Sequence, residues 1–341
     1  MSSKYQKQKA ATYFFHEIHK MMKQDYCILC NKKISSARNS HTVPQFILKN
    51  ISEKGNVSYG ISLSKLDVKG LPKTTGINNA YTFKLLCEKC EHSLFTHYEN
   101  PDNLLNFEQL NIDIQKTMLS EMALKAHLSH INMKYQTLVV KDSVSEGFVS
   151  ENEKKGIFTA ERIDIIEHFD TIKRLKKANK EKRDPFTLLY SKLLDYKTKI
   201  AAQTLICYVY DLHNNCIFDV NDFSLENKCP YFYIMIFPLT DKTRIMFFTE
   251  KSNKDSASSV IDDFMKMTDD EKLHFIFISL IIHSEQFYLS PSLAQHISKN
   301  DKKLVSLYSK TDRSGWFFLA KDWRSEIKNF KKYSCYLKKE D

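Results

Sequence analysis

The pattern of apolar and polar positions changes character along the chain, and the changes mark its parts. Tyr13, Phe14, Ile18, Met21 and Met22 fall on or near one face at helical spacing, which predicts an amphipathic helix over residues 1–22. Between 23 and 105 the periodicity is broken by Gly and Asn turns. From 106 to 136, Leu110, Ile114, Met118, Met122 and Lys125/Ala126 recur at three- and four-residue steps and predict a long helix. A second helix is predicted over 159–174. A third is predicted over 186–212, on Leu188, Leu189, Leu193, Leu194, Ile200, Ala201, Leu205, Cys207 and Val209. After 215 the pattern changes. YFYIMIF (231–237) and RIMFFTE (244–250) are rich in aromatic and β-branched residues and flank the turn PLTDKT, which predicts a buried hairpin. Helices are expected over 256–267 and Asp269–His283, and a Trp-containing tail ends the chain. The expected fold class is α+β, in four parts: an N-terminal helix (1–22), a cysteine-bearing module (23–105), a helical region (106–215) and a C-terminal α+β region (216–341).

Composition adds bounds. With 42% hydrophobic and 12% aromatic residues the chain can bury a sizeable core, and seven Gly and seven Pro in 341 residues argue against an all-β protein built on tight turns. The longest apolar run, 275–282, is interrupted by Ser279 and is far shorter than the roughly 20 residues a membrane helix needs, so no membrane partner is expected. The first residues, MSSKYQKQKAATYFF, lack an apolar core followed by a cleavage site. The expectation is a cytoplasmic protein whose paired thiols bind metal and do not form disulfides.

Charge points to a polyanion. Lys and Arg number 51 against 41 Asp and Glu, a net +10 spread widely over the chain. Its densest stretch, KRLKKANKEKR, carries Lys173, Arg174, Lys176, Lys177, Lys180, Lys182 and Arg183 with a single Glu. Such a run either tracks a phosphate backbone without reading sequence or forms a solvated helix face.

Four of the eight cysteines form two C-x-x-C pairs, Cys27/Cys30 and Cys87/Cys90, while Cys207, Cys216, Cys229 and Cys335 are scattered. Each pair is a knuckle that lets two thiolates reach one ion, and four sulfurs satisfy tetrahedral Zn²⁺ and close the site to water. The 56 residues between knuckles exceed zinc-ribbon spacing. A helix is expected over 91–99, directly after the second knuckle. Knuckle, hairpin, knuckle and helix is the treble-clef order. A thiol redox enzyme is disfavoured, because zinc suppresses thiol attack and no thioredoxin-like βαβ pattern surrounds either pair.

Between the knuckles lies Ser40-His41-Thr42-Val43-Pro44. Here the sequence resembles HNH, or ββα-metal, endonucleases, which often carry Asp-His-x-x-Pro between two zinc knuckles and a further metal ligand after the last cysteine. The resemblance covers roughly residues 23–100. It implies that His41 is the general base that activates water and that Glu91, next to Cys90, is a catalytic residue binding Mg²⁺ or Mn²⁺. Glu99 would complete the metal site, and zinc would be structural only. The implied substrate is nucleic acid, DNA before RNA. Two departures stand out: Ser40 takes the place of a common metal-binding Asp, and the central Asn has only Asn78 and Asn79 as candidates. His92 and His97 fall on other faces at helical spacing, as surface or supporting residues. HTVPQFILKNI is also similar to the start of a bacterial family opening on His-x-x-Pro-Gln-Phe and a Leu-rich helix, and phage-defence proteins often include such HNH variants. The C-terminal region is then expected to supply substrate selection, a sensor or a protein partner interface. The alternative is a non-catalytic zinc-stabilised subunit that binds nucleic acid or protein, a reading that Ser40 favours.

Overall fold

The computed structural model describes residues 26–34, 39–60, 72–144, 167–181, 183–219, 228–284, 286–310 and 323–339. The helix expected over 1–22, the first part of that expected over 159–174, and Lys182 of the basic run lie outside the described residues. The chain passes through strand β1 (Ser40–His41), helix α1 (Gln45–Ile51) and strands β2 (Asn56–Tyr59), β3 (Thr74–Gly76) and β4 (Thr82–Phe83). Helices α2 (Glu88–Leu94) and α3 (Pro101–Leu105) lead into the long α4 (Ile112–Val144), and α5 covers residues 167–180. Strands β5 (Phe186–Leu194), β6 (Ile200–Cys207), β7 (Tyr231–Pro238) and β8 (Thr243–Glu250) follow. The chain closes with α6 (Ser258–Lys266), α7 (Asp269–His283), β9 (Phe287–Leu289), α8 (Pro291–Asn300), α9 (Lys302–Lys310) and a run of 3₁₀ turns, Trp323–Lys332. The fold class is α+β, as expected.

The centre is a seven-stranded antiparallel sheet in the order β3-β2-β9-β6-β7-β8-β5. Strands β5 to β8 stand in Greek-key order, the first beside the fourth. Both faces are covered. Tyr231, Tyr233, Met235 and Phe237 of β7 point toward the cysteine module, α4 and α5. Phe232, Ile234 and Ile236 point toward α6 to α9 and the C-terminal 3₁₀ turns. A strand buried on both faces has no polar side, so its sequence reads as a continuous apolar run. That is why the hairpin over 231–237 and 244–250 stands where expected, with Tyr233 opposite Phe248 and Ile236 opposite Ile245. The helices expected over 256–267 and Asp269–His283 are α6 and α7. Helix α7 starts with a capping box in which Thr268 accepts from the Glu271 N–H and the Glu271 carboxylate accepts from the Thr268 N–H.

The helix expected over 186–212 is corrected to two strands, β5 and β6. Two features produce the false helical spacing. A bulge lies between Leu188 and Tyr190, where β5 pairs with β8, and it shifts the apolar positions of the strand by one. Strand β6 is central and buried on both faces, so it shows no alternation.

The cysteine module is built into the same sheet. Strands β2 and β3 form one edge, and β2 pairs with β9 through Ser58 opposite Leu289. Tyr288 of β9 donates or accepts at Thr42 (3.3 Å) and accepts from the Tyr81 N–H (3.0 Å). At Gly60 a Cβ would lie 2.3 Å from the Phe287 ring, so only glycine allows the chain to leave β2 this close to β9. Segments 230 residues apart in sequence thus hold one platform for the site.

Candidate functional site

The first knuckle is a tight turn. The Cys27 N–H donates to the Lys32 carbonyl (2.9 Å), the Asn31 N–H donates to the Cys27 carbonyl (2.8 Å), and Asn31 takes a left-handed φ of 57°. The second knuckle opens α2, with Cys87 as its N-cap. The Ile28 N–H reaches across to the Leu85 carbonyl (3.1 Å) and ties the two knuckles together. The four sulfurs lie within 4.8 Å of one another, and Cys30 Sγ is 3.7 Å from Cys87 Sγ. A tetrahedron with metal–sulfur bonds of about 2.3 Å has edges of about 3.8 Å. The four thiols therefore stand at the spacing of a closed tetrahedral site and could hold a structural metal ion such as zinc. Burial pushes the Cys27 thiol up, but backbone N–H groups at Cys87, Cys30 and Leu29 outweigh it and bring Cys27 down to about 7. Cys90 is held above the ordinary thiol range by burial and by the sulfurs around it.

Beside the cysteines, β1 and β4 pair antiparallel, with Ser40 opposite Phe83 and His41 opposite Thr82, and α2 follows directly. His41 Nε2 lies 3.2 Å from the Ile77 carbonyl. A carbonyl only accepts, so Nε2 carries the ring proton and Nδ1 keeps its lone pair. Burial lowers the His41 pKa; the Lys125 charge lowers it further, against the Ile77 carbonyl and Glu99. Asn78 and Asn79 directly follow Ile77; Asn78 accepts from Gln45 Nε2 (2.7 Å).

Ser40 is buried and donates to Glu91 Oε1 at 2.5 Å. It orients the carboxylate that the sequence singles out. Glu91 Oε1 is 4.0 Å from Lys125 Nζ, and Lys125 is itself ion-paired with Glu99. The Tyr98 hydroxyl also donates to Glu99 (3.2 Å). The expected helix over 91–99 is corrected: α2 ends at Leu94. The cause is Glu121, a buried carboxylate on α4 that accepts from the His97 and Tyr98 N–H groups, both at 3.1 Å, and so takes them from the helical ladder. It also binds His97 Nδ1 at 2.7 Å, which makes His97 a structural partner. Burial raises the Glu121 carboxyl above its usual range in spite of these bonds. Glu99 thus reaches Glu91 through a turn, with Lys125 between them. Among the described residues, the cysteines alone bring three or more His, Cys, Asp or Glu ligand atoms within 4.8 Å of one another; His41, Glu91 and Glu99 do not.

The basic run lies on α5, whose Ile172, Leu175 and Ala178 are buried. Two of its cations are engaged internally: Arg174 pairs with Glu250, and Lys176 Nζ donates to the Leu29 carbonyl in the first knuckle (2.6 Å). Lys173, Lys177 and Lys180 share the outer face at helical spacing, and Arg183 pairs with Glu181. The basic face therefore adjoins the cysteine module.

Sequence reasoning missed Lys125 and a second buried polar chain. Lys125 sat in the apolar stripe of the long helix, and a lysine on an inward stripe was the available signal. The chain runs from His168 Nδ1 to His127 Nδ1 (2.8 Å), from His127 Nε2 to the Tyr233 hydroxyl (2.8 Å), and from Tyr233 to Glu250 (3.3 Å). No helix among the described residues is long and apolar enough to cross a membrane. Compared with family models, with curated proteins and with solved structures, the chain matches none.

Proposed function

We propose that the protein is a metal-dependent endonuclease of the HNH type, with Cys27, Cys30, Cys87 and Cys90 holding one structural zinc in a treble clef. One observation carries this reading. His41 stands on a two-stranded ladder between the two cysteine pairs, tied through Nε2 to a backbone carbonyl and keeping its Nδ1 lone pair, with Glu91 on the helix that follows. That is the arrangement a water-activating base needs: neutral near pH 7 and fixed in orientation. Glu91 and Glu99 would hold Mg²⁺ or Mn²⁺, and oxygen ligands suit such ions. The buried Glu91 Oε2 has no hydrogen-bond partner, as expected of a ligand atom awaiting a cation. When bound, the cation neutralises charge on the scissile phosphate and the leaving oxygen. His41 Nδ1 takes the proton of the attacking water, Ile77 holds the ring, and Ser40 holds Glu91. The exposed cations of α5 would bear on the phosphate backbone of DNA, less so RNA. The C-terminal layer would carry a partner or activator, in keeping with a role in antiphage defence.

The test is cleavage of supercoiled plasmid and single-stranded DNA with Mg²⁺ or Mn²⁺. His41→Ala is expected to cut slower by about 10²–10⁴-fold with zinc content and folding unchanged. Equal cutting by both proteins would remove His41 from the chemistry. A second reading, a non-catalytic zinc-stabilised subunit binding nucleic acid or protein, is favoured by Lys125, whose ammonium already pairs with the carboxylates a catalytic cation would use. No cutting across metals and substrates at low salt would favour it.

A further inference from the structure

Lys125 is only 2% exposed, yet it carries a full charge into the protein interior. A buried ammonium persists only where it is paired and its N–H groups are used. Here the partners are the two carboxylates that the metal-dependent reading assigns to a divalent ion: Glu99, in direct contact, and Glu91 at 4.0 Å. The ammonium also lies 4.7 Å from the centre of the Phe95 ring and 5.9 Å from that of Tyr98, so aromatic faces complete the cage. Three elements converge on it: α4 supplies the lysine, α2 supplies Glu91, and the turn after α2 supplies Phe95, Tyr98 and Glu99.

We propose that Lys125 is a resident cation that gates metal loading: it occupies the Glu91–Glu99 pair until a divalent ion displaces it. The proposal rests on the metal-dependent reading and adds its regulation. An ion with oxygen ligands at about 2.1 Å, held by the same two carboxylates, would lie close to the ammonium, and like charges at that separation repel strongly in a poorly solvated site. Ammonium and ion are therefore alternatives. The ligand set explains the present pose: two carboxylates and one ammonium leave a net negative charge, and Glu91 Oε2 stays without a hydrogen-bond partner. Ser40 keeps Glu91 aimed at the site in either state. Loading then answers to the concentration of free divalent ion, and the unloaded protein is held inactive without a separate inhibitor.

The experiment is Mn²⁺ titration of the zinc-loaded full chain, read by electron paramagnetic resonance, for wild type, Lys125→Met, Lys125→Gln and each combined with Glu91→Gln. The neutral variants are expected to bind Mn²⁺ at least about tenfold more tightly than wild type, and Glu91→Gln is expected to abolish binding in every background. If wild type and the lysine variants bind equally, the divalent site stands and the gate falls. If none binds, the metal-dependent reading falls and takes the gate with it. Should both lysine variants fail to fold, the wild type decides alone. With nitrogen-15-labelled lysine, the salt-bridged ammonium gives an exchange-protected signal that saturating Mg²⁺ is expected to remove. Its persistence under saturation overturns the proposal.

Discussion

Cys87→Ser is expected to lose stoichiometric zinc and to melt at a temperature lower by about 7 °C. The size follows from what the sulfurs organise. Knuckle segments 26–34 and 84–87 contain no helix, and they contribute Cys27, Leu29, Leu85 and Leu86 to the core cluster that also takes in Tyr233 and Phe237 of the sheet. Without an ion the four thiols, 3.7 Å apart at Cys30 and Cys87, lose the bonds that hold these segments against that cluster. Structural zinc contributes on the order of 10 kcal/mol to small folded modules, and losing one of four ligands gives up a part of that, about 5 kcal/mol. In a chain of 341 residues each kcal/mol moves the midpoint by about 1.4 °C, so the shift is about 7 °C. Inductively coupled plasma analysis with calorimetry checks both values. Cys216→Ser, on an exposed cysteine away from the cluster, is the matched control and is expected to retain one zinc per chain. One zinc retained in Cys87→Ser with an unchanged midpoint would exclude the four-cysteine site.

The contrast between what was legible and what was not follows from the range of the interactions. The cysteine pairs were legible because a C-x-x-C knuckle is a local object, set by a turn of four residues. The β7–β8 hairpin was legible because both its faces are buried. Strands β5 and β6 were not, because a bulge at Leu188–Tyr190 counterfeits helical spacing and a central strand has no polar side to reveal it. Nor could local pattern foresee that β2 of the cysteine module pairs with β9, or that one sheet would join the expected parts. At the site, His41 and Glu91 could be named from their places beside the knuckles. Lys125 could not be given a role, because its meaning depends on three elements meeting, and Glu121 ends α2 by a contact across 24 residues. The basic run was legible as charge but not as geometry: two of its cations, Arg174 and Lys176, are turned to structural partners.

Acid is expected to unfold the protein well before its carboxylates titrate out. The reason is the buried chain that ends on His168. Glu250 accepts from Tyr233, so the Tyr233 oxygen accepts from His127 Nε2–H, and His127 Nδ1 is left to accept from His168 Nδ1–H. Each donor has one acceptor along the chain, and the atom left over, His168 Nε2, is a bare lone pair without a partner. Both rings are therefore neutral in the native state. Burial lowers His168 to about 3, with Lys134 adding to it, and lowers His127 far below the imidazole range, with His168 and Arg174 adding to it. Unfolded, both titrate near 6.5. The folded state thus refuses protons that the unfolded state takes up. The stability these two rings provide is fully present above about pH 6.5 and drains away as pH falls toward about 3. Each ring costs about 1.4 kcal/mol per pH unit below about 6.5, so the pair removes roughly 5 kcal/mol by pH 4.5. Urea unfolding at pH 7 and pH 4.5 measures the loss directly. His168→Asn keeps a donor near the position of Nδ1 and removes one titrating group, so its loss over the same interval is expected to be about half that of wild type. Equal losses in the two proteins would place the acid sensitivity elsewhere.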